Sequence, residues 1–310
     1  MESPNVIPFL HSRLRANRLG ATWELRPGQS IEPVCFRTIA LRRDAGHELE
    51  QTLLFVEKLQ ASDGGWPAFV GDEQQSSWTT ALAALTLMTT GHSNAQLQRA
   101  VGCLLESKGR EANWFWRWKF QNVDKEVKFD PAKYGWSWLP RTTSWVVPTA
   151  MSIIALRKVM WAGVVPAHLL TDRISVGTAM LLDRMCPGGG WNAGNSIAFD
   201  VSYAPYVDAT SIALLALRGF ENAPGVWNSV SWLETGLAGC PSLYSLAWGL
   251  LALAAYSDRG ANAAQTLRRA GHGLIARIHE DLRNLDTVTI AICALALEAV
   301  EGDNVFEVEG

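Results

Sequence analysis

Six apolar segments of similar sequence recur along this 310-residue chain. Each opens on a polar, aromatic or proline-marked start and runs through alanine and aliphatic residues, and three of them end in Ala-Leu-Arg. Because they are apolar almost all round, these segments are typical of buried helices rather than of amphipathic surface helices. In alignment they begin at Glu32, Trp78, Val147, Asp208, Tyr244 and Asp286.

An amphipathic segment precedes each apolar one, the first being "NVIPFLHSRLRANRLG" and the second "HELEQTLLFVEKLQ". The chain therefore predicts six helical hairpins, each with an outer helix followed by an inner helix. An open stack of such hairpins would need polar end caps, and neither end of the sequence resembles one. We expect a single all-α domain over residues 1–310, an α6/α6 toroid whose first and last hairpins meet.

Tryptophan marks four of the joints between outer and inner helices, and we interpret these residues as packing between neighbouring outer helices. They are Trp23, Trp66, Trp114 and Trp191. The sequence "NWFWRWKF" alternates tryptophan with other residues, which favours an extended segment. Residues 115–135 interrupt the repeat before the third inner helix, and we expect this inserted loop to act as a lid or substrate-entry element.

Composition excludes several classes of protein. A net charge of −3 and a pI near 6.1 give no basis for nucleic-acid binding by bulk charge. The five cysteines form no CxxC pair, which favours buried free thiols in a reducing compartment. The first residues lack the apolar core of a signal peptide, and no apolar run is long enough to span a membrane. We expect a cytoplasmic protein, with peripheral membrane contact left open.

Two stretches resemble a known superfamily. "LLFVEKLQASDGGW" (residues 53–66) is similar to the repeat of squalene–hopene and oxidosqualene cyclases, which also occurs in the β subunits of protein prenyltransferases. "KFDPAKYGWSW" followed by "TTSWVVPTA" resembles bacterial single-toroid proteins that contain such repeats. The resemblance implies a six-hairpin barrel with an apolar central cavity, a mouth at one end of the inner helices, and an isoprenoid as the small-molecule substrate.

Protein prenyltransferases of this superfamily hold a catalytic zinc ion with aspartate, cysteine and histidine on their inner helices. This chain has no matching Asp-x-Cys sequence, and we place all six histidines on outer helices or loops. Zinc needs several converging nitrogen, sulfur or oxygen ligands, so we expect no metal and no other cofactor. Prenyl transfer, without a metal or with a partner subunit, is the least favoured function.

Class II terpene cyclases protonate an alkene or epoxide with the central aspartate of a DxDD motif. Such a step needs a protonated acid held in a dry site. "YVDAT" keeps the central acid as Asp208, but Tyr206 and Ala209 stand where the flanking aspartates would be. The resemblance therefore implies acid-initiated carbocation cyclisation with Asp208 as proton donor. Tyr206, at which the sequence departs from the family motif, is expected to hydrogen-bond Asp208 and to belong to the substrate site.

The repeat gives a separate argument for a site. If the six helix-opening positions form one ring, the acids Glu32, Asp208 and Asp286 converge, and like charges that share a site raise one another's pKa. We expect Glu32 and Asp286 to tune Asp208. Each acid could instead cap its helix, which is worth about 0.5–2 kcal/mol.

Four aromatic residues are expected to line the cavity and to stabilise a carbocation, each by about 0.5–2 kcal/mol. They are Trp78, Trp138, Trp145 and Tyr244. The competing hypothesis is a non-catalytic toroid that binds an isoprenoid, another lipid or a protein, having kept the barrel and lost the catalytic motif.

Overall fold

The computed structural model describes residues 6–16, 26–44, 47–92, 95–257, 261–281 and 284–308. Within them lie thirteen α-helices and two short β-hairpins. The helices are α1 Val6–Ala16, α2 Glu32–Ala40, α3 His47–Lys58, α4 Ser77–Thr89, α5 Ala95–Glu106, α6 Trp114–Asn122, α7 Val146–Trp161, α8 Ala167–Asp183, α9 Val207–Ala216, α10 Val226–Gly236, α11 Leu243–Ala255, α12 Ala261–Asp281 and α13 Thr287–Val300. The strands are β1 Trp66–Pro67 paired with β2 Gln75–Ser76, and β3 Ile197–Ala198 paired with β4 Val201–Ser202.

Six helices form a closed inner ring. In the order α2, α4, α7, α9, α11 and α13, each packs against the next, and α13 packs against α2. Helices α3, α5, α8, α10 and α12 each lie outside the inner helix that precedes them, and α1 lies outside α13. The predicted α6/α6 toroid is confirmed, and its first and last hairpins meet. The inner helices begin within one residue of the aligned starts.

Hydrophobic pattern determines which helices lie inside. In the inner helix α9, every residue from Ala209 to Ala216 is buried. The outer helix α5 buries one face only, with Leu97, Val101 and Leu104 at helical spacing among its buried residues. No helix among the residues that the structure describes is both long and apolar enough to cross a membrane.

Three glycine-tryptophan joints fix outer helices to inner ones, and their tryptophans are fully buried. Each indole N–H donates to a carbonyl of the preceding outer helix: Trp66 to Val56 (2.7 Å), Trp136 to Leu104 (2.7 Å) and Trp191 to Leu181 (2.6 Å). Each backbone N–H donates to a threonine Oγ1 of the following inner helix: Trp66 to Thr80 (3.0 Å), Trp136 to Thr149 (2.9 Å) and Trp191 to Thr210 (2.9 Å). These bonds satisfy buried polar groups and repeat with the hairpins.

The third joint differs from the prediction. Trp114 does not pack at a joint, because its side chain is 77% exposed, and Trp136 occupies the equivalent position. The segment that was expected to be extended is helix α6, which begins where Asn113 Oδ1 accepts the N–H of Phe115 at 3.0 Å. No residue of α6 is buried. Its sequence therefore lacks the helical spacing of apolar residues that packing against a core would require, and the alternation of tryptophans is misleading. Trp23 lies outside the described residues.

Candidate functional site at the mouth of the toroid

Tyr244 is the second residue of α11, and acids from the starts of three other inner helices, α2, α9 and α13, act on it electrostatically. Burial raises the pKa of the Tyr244 hydroxyl most, and the negative charge of Glu32 raises it next. The Trp248 indole lowers this pKa, and the charges of Asp208 and Asp286 raise it by smaller amounts. Such charge effects act over short distances between partly buried groups. The charges of all three acids of the predicted ring therefore act on one hydroxyl.

Glu32 is the first residue of α2 and is half-buried. Burial raises the pKa of its carboxyl, a hydrogen bond from the Trp78 indole lowers it, and the nearby charge of Asp286 raises it again, so that the net shift is upward. Removal from water and a like charge both disfavour the ionised form of a carboxyl. The surroundings of Glu32 thus favour the protonated form of its carboxyl.

The two aspartates of the ring are held differently. Asp286 precedes α13 as its N-cap, and its carboxylate accepts the backbone N–H of Thr289 at 3.0 Å and the Thr289 hydroxyl at 2.7 Å. Asp208 is the second residue of α9 and is half-buried. The N-cap of α9 is Tyr206, and no side chain caps this helix. Capping therefore accounts for Asp286 but not for Asp208.

Aromatic side chains border the acids. Trp78 is 5% exposed and lies 5.6 Å, ring centroid to ring centroid, from Trp138, which is 36% exposed. Trp145 is the N-cap of α7 and covers Gly194, where an added Cβ would come within 3.1 Å of the indole. Tyr206 is 55% exposed. Trp78 and Trp138 thus form an aromatic rim beside Glu32, and among the described residues no ring contact joins Trp145 or Tyr206 to it.

A second aromatic layer lies one helical turn below the acids. Phe36 follows Glu32 by four residues, and Trp248 follows Tyr244 by four, so both point along the same helix faces. Phe306, from the segment after α13, completes the layer, at 6.4 Å from Phe36 and 5.0 Å from Trp248 between ring centroids. All three side chains are fully buried. They form a floor beneath the mouth.

The floor was not predicted from the sequence. Phe36 and Trp248 were identifiable as residues one turn after Glu32 and Tyr244, on the same helix faces. Phe306 had no such signal, because it lies beyond the last repeat. Among the described residues, no group of three histidine, cysteine, aspartate or glutamate side chains stands close enough to hold a metal ion.

No protein-family model matches the sequence. No curated protein is similar to it in sequence. Solved structures, in contrast, match over nearly the whole chain. A protein from Actinoplanes superposes with a TM-score of 0.61 at 14% identity, over 95% of this chain and 98% of the other.

Two further solved structures are enzymes. The type II terpene cyclase MstE from Scytonema, in complex with its substrate geranylgeranyl dihydroxybenzoate, has a TM-score of 0.58 at 14% identity, over 96% of this chain and 98% of the other. The ent-copalyl diphosphate synthase from Streptomyces platensis has a TM-score of 0.60 at 18% identity, over 88% of this chain but 50% of the enzyme. The chain therefore has the toroid fold of the terpene cyclases and prenyltransferases.

Proposed function

We propose that this protein binds a polyisoprenoid at the aromatic mouth of the toroid and starts its cyclisation by proton transfer from Glu32. The observation that carries the proposal is the position of Glu32: a carboxyl with a raised pKa, in contact with the Trp78 indole and within the ring of acids around Tyr244. A carboxyl that stays protonated beside other acids is a recurring form of general acid.

The proposed reaction conserves atoms. The Glu32 proton adds to a terminal alkene carbon or an epoxide oxygen, and a neighbouring double bond attacks the resulting electrophilic carbon. Loss of a proton from the cyclised cation to a nearby carboxylate ends the sequence, so that the product is an isomer of the substrate. Trp78 and Trp138 would stabilise the cation through their ring faces, each by about 0.5–2 kcal/mol.

The substrate class is supported by the fold comparison and by the rim. A cyclase of the same fold has a geranylgeranyl chain joined to an aromatic acid as its substrate. Trp78 and Trp138 beside Glu32 offer aromatic surface to an apolar chain, and the partly exposed Trp138 would let a polar head group remain in water. We therefore propose a prenyl chain with a polar end.

A second candidate is a toroid that binds isoprenoids without converting them. The floor of Phe36, Trp248 and Phe306 favours this alternative, because it leaves the acids at a shallow mouth rather than in an enclosed chamber. Proton transfer to an alkene gains from the exclusion of water, which a shallow site supplies less well. No observation favours prenyl transfer, and we do not propose it.

A measurement of turnover distinguishes the cyclase from the toroid that only binds isoprenoids. Purified protein is incubated with geranylgeranyl diphosphate, a geranylgeranyl aryl acid and squalene, and the products are examined for isomers of unchanged mass. For the cyclase we expect Glu32→Gln to lower the rate by about 10²–10⁴-fold, the usual contribution of a general acid, while isoprenoid binding persists.

Asp208→Asn serves as the comparison, because Asp208 is the donor that the sequence motif implies. A larger loss of rate in Asp208→Asn than in Glu32→Gln would transfer the donor role to Asp208. Binding without any isomeric product in the wild-type protein would favour the non-catalytic toroid.

A further inference from the structure

Phe306 belongs to a segment that enters the toroid from the end opposite the mouth. We define the C-terminal tail as residues 303–308. Its apolar side chains Val305, Phe306 and Val308 are all buried, although the tail contains no helix or strand. We infer that Phe306 forms the inner wall of the substrate site and limits the length of the chain that the site accepts, an inference that rests on the proposed function.

On each of two sides, one intermediate ring connects Phe306 to an aromatic residue of the mouth. Phe306 packs on Phe36, and Phe36 packs on Trp78 at 6.3 Å between centroids. On the other side Phe306 packs on Trp248, which lies edge-on to Tyr244 at 6.4 Å. The Phe306 ring thus occupies the axis directly below the acids. A chain that enters beside Glu32 reaches this ring after one helical turn, a depth of about 5.4 Å.

A hydrogen bond and ion pairs outside the aromatic floor anchor the tail. The Asn304 side-chain amide donates to the Leu251 carbonyl of α11 at 2.8 Å, and Asp303 pairs with Arg42 and, at 2.6 Å, with Arg43. Removing the Phe306 ring therefore leaves these anchors in place. The change should empty space on the axis without releasing the tail.

The predicted consequence is a change of chain-length preference. With Phe306 in place, a prenyl chain must lie across the mouth, and lengthening the chain adds little buried surface. In Phe306→Ala, the end of a longer chain can enter the axis and lose contact with water. Burial of a few additional methylene groups increases affinity by at least about tenfold.

The experiment measures binding of farnesol and geranylgeraniol to the full chain by calorimetry, in the wild type and in Phe306→Ala. We expect the variant to favour geranylgeraniol over farnesol at least about tenfold more strongly than the wild type does. Phe306→Leu is measured in parallel, because the loss of a buried ring can prevent folding, and it should shift the preference in the same direction by less. Val308→Ala, in the same tail, is the matched control and should leave the preference unchanged.

The two proposals fail separately. If folded Phe306→Ala and Phe306→Leu keep the wild-type preference, or bind neither alcohol, Phe306 does not limit chain length. If the wild type binds no isoprenoid while Phe306→Ala does, the proposed function is wrong for the native protein, and the assignment of Phe306 stands.

Discussion

The inner ring has acidic side chains at one end and arginines at the other, and the two sets differ in their bonding partners. At the mouth, acids open three of the inner segments; at the other end, arginines close three of them, at Arg42, Arg157 and Arg218. This arrangement suits helix dipoles, which favour anions at amino termini and cations at carboxyl termini. The arginines donate to carbonyl and carboxylate groups of the protein, whereas Glu32 and Asp208 do not form ion pairs with the described residues. The arginines therefore hold the toroid together, whereas the carboxyl groups of Glu32 and Asp208 are left available for chemistry.

The arginine end is closed by specific bonds. Arg157 donates to the carbonyls of Ala216 (3.2 Å) and Arg218 (2.5 Å), and Arg218 donates to Glu221 (2.5 Å). A cavity of about 870 Å³ lies outside these contacts, lined in part by Trp161 and Val308. The tail separates this cavity from the aromatic floor.

The largest expected effect concerns Arg42, which joins the first and last hairpins. Arg42 donates to Glu298 at 2.7 Å and pairs with Asp303, and His11 lies 3.3 Å from the other oxygen of Glu298. Arg42→Ala leaves the buried Glu298 without its main partner, so we expect the free energy of unfolding to fall by about 3–5 kcal/mol. Urea denaturation measures this change.

Arg43→Ala is the matched control for that experiment. Arg43 also binds Asp303, at 2.6 Å, but its side chain is 68% exposed. An exposed pair contributes about 0–1 kcal/mol, so this variant should remain close to the wild type. Equal losses in the two variants would contradict the assignment of ring closure to the buried pair.

The second prediction is that Glu298 and Glu32, at opposite ends of the ring, change the stability of the protein with pH in opposite directions. Burial raises the pKa of Glu298, but the His11 hydrogen bond and the charge of Arg42 outweigh it, so the net shift is downward from 4.5. Its contribution to stability is present above pH 4.5 and is lost as the pH falls through the lowered value. The pKa of Glu32 is raised above 4.5, so its contribution is present below pH 4.5 and is lost as the pH rises through the raised value.

Two substitutions test these two pH dependences of stability separately. In denaturation curves measured across acidic and neutral pH, Glu298→Gln should weaken the loss of stability on the acid side. Glu32→Gln should weaken the decline above pH 4.5 and leave the acid side as it is in the wild type. A Glu32→Gln curve parallel to that of the wild type at every pH would show that Glu32 is not held in its protonated form.

The repeat predicted most of the fold, because inner helices must be apolar on all faces and outer helices on one. That constraint is strong enough to place the start of α9 within one residue of Asp208. It failed at Trp114, because a helix without buried residues has no periodicity to read. It also missed Phe306, since the position of a non-repeating tail depends on the shape of the axis that it fills. The alignment predicts which acids open inner helices, whereas the upward shift in the pKa of Glu32 depends on its burial and on the charge of Asp286.

The smallest expected effect distinguishes the two aspartates within the mouth. Asp286 accepts two hydrogen bonds from Thr289, so Asp286→Ala removes a helix cap and should lower the free energy of unfolding by about 1 kcal/mol. Asp208 follows the N-cap position and caps nothing, so Asp208→Ala should cost at most the dipole contribution, about 0.3–1 kcal/mol. Asp286→Asn, which keeps an accepting oxygen, should recover most of the loss. A cost for Asp208→Ala above that for Asp286→Ala would mean that Asp208 has a structural role at the start of α9. That result would weaken the sequence-based prediction that Asp208 is the proton donor.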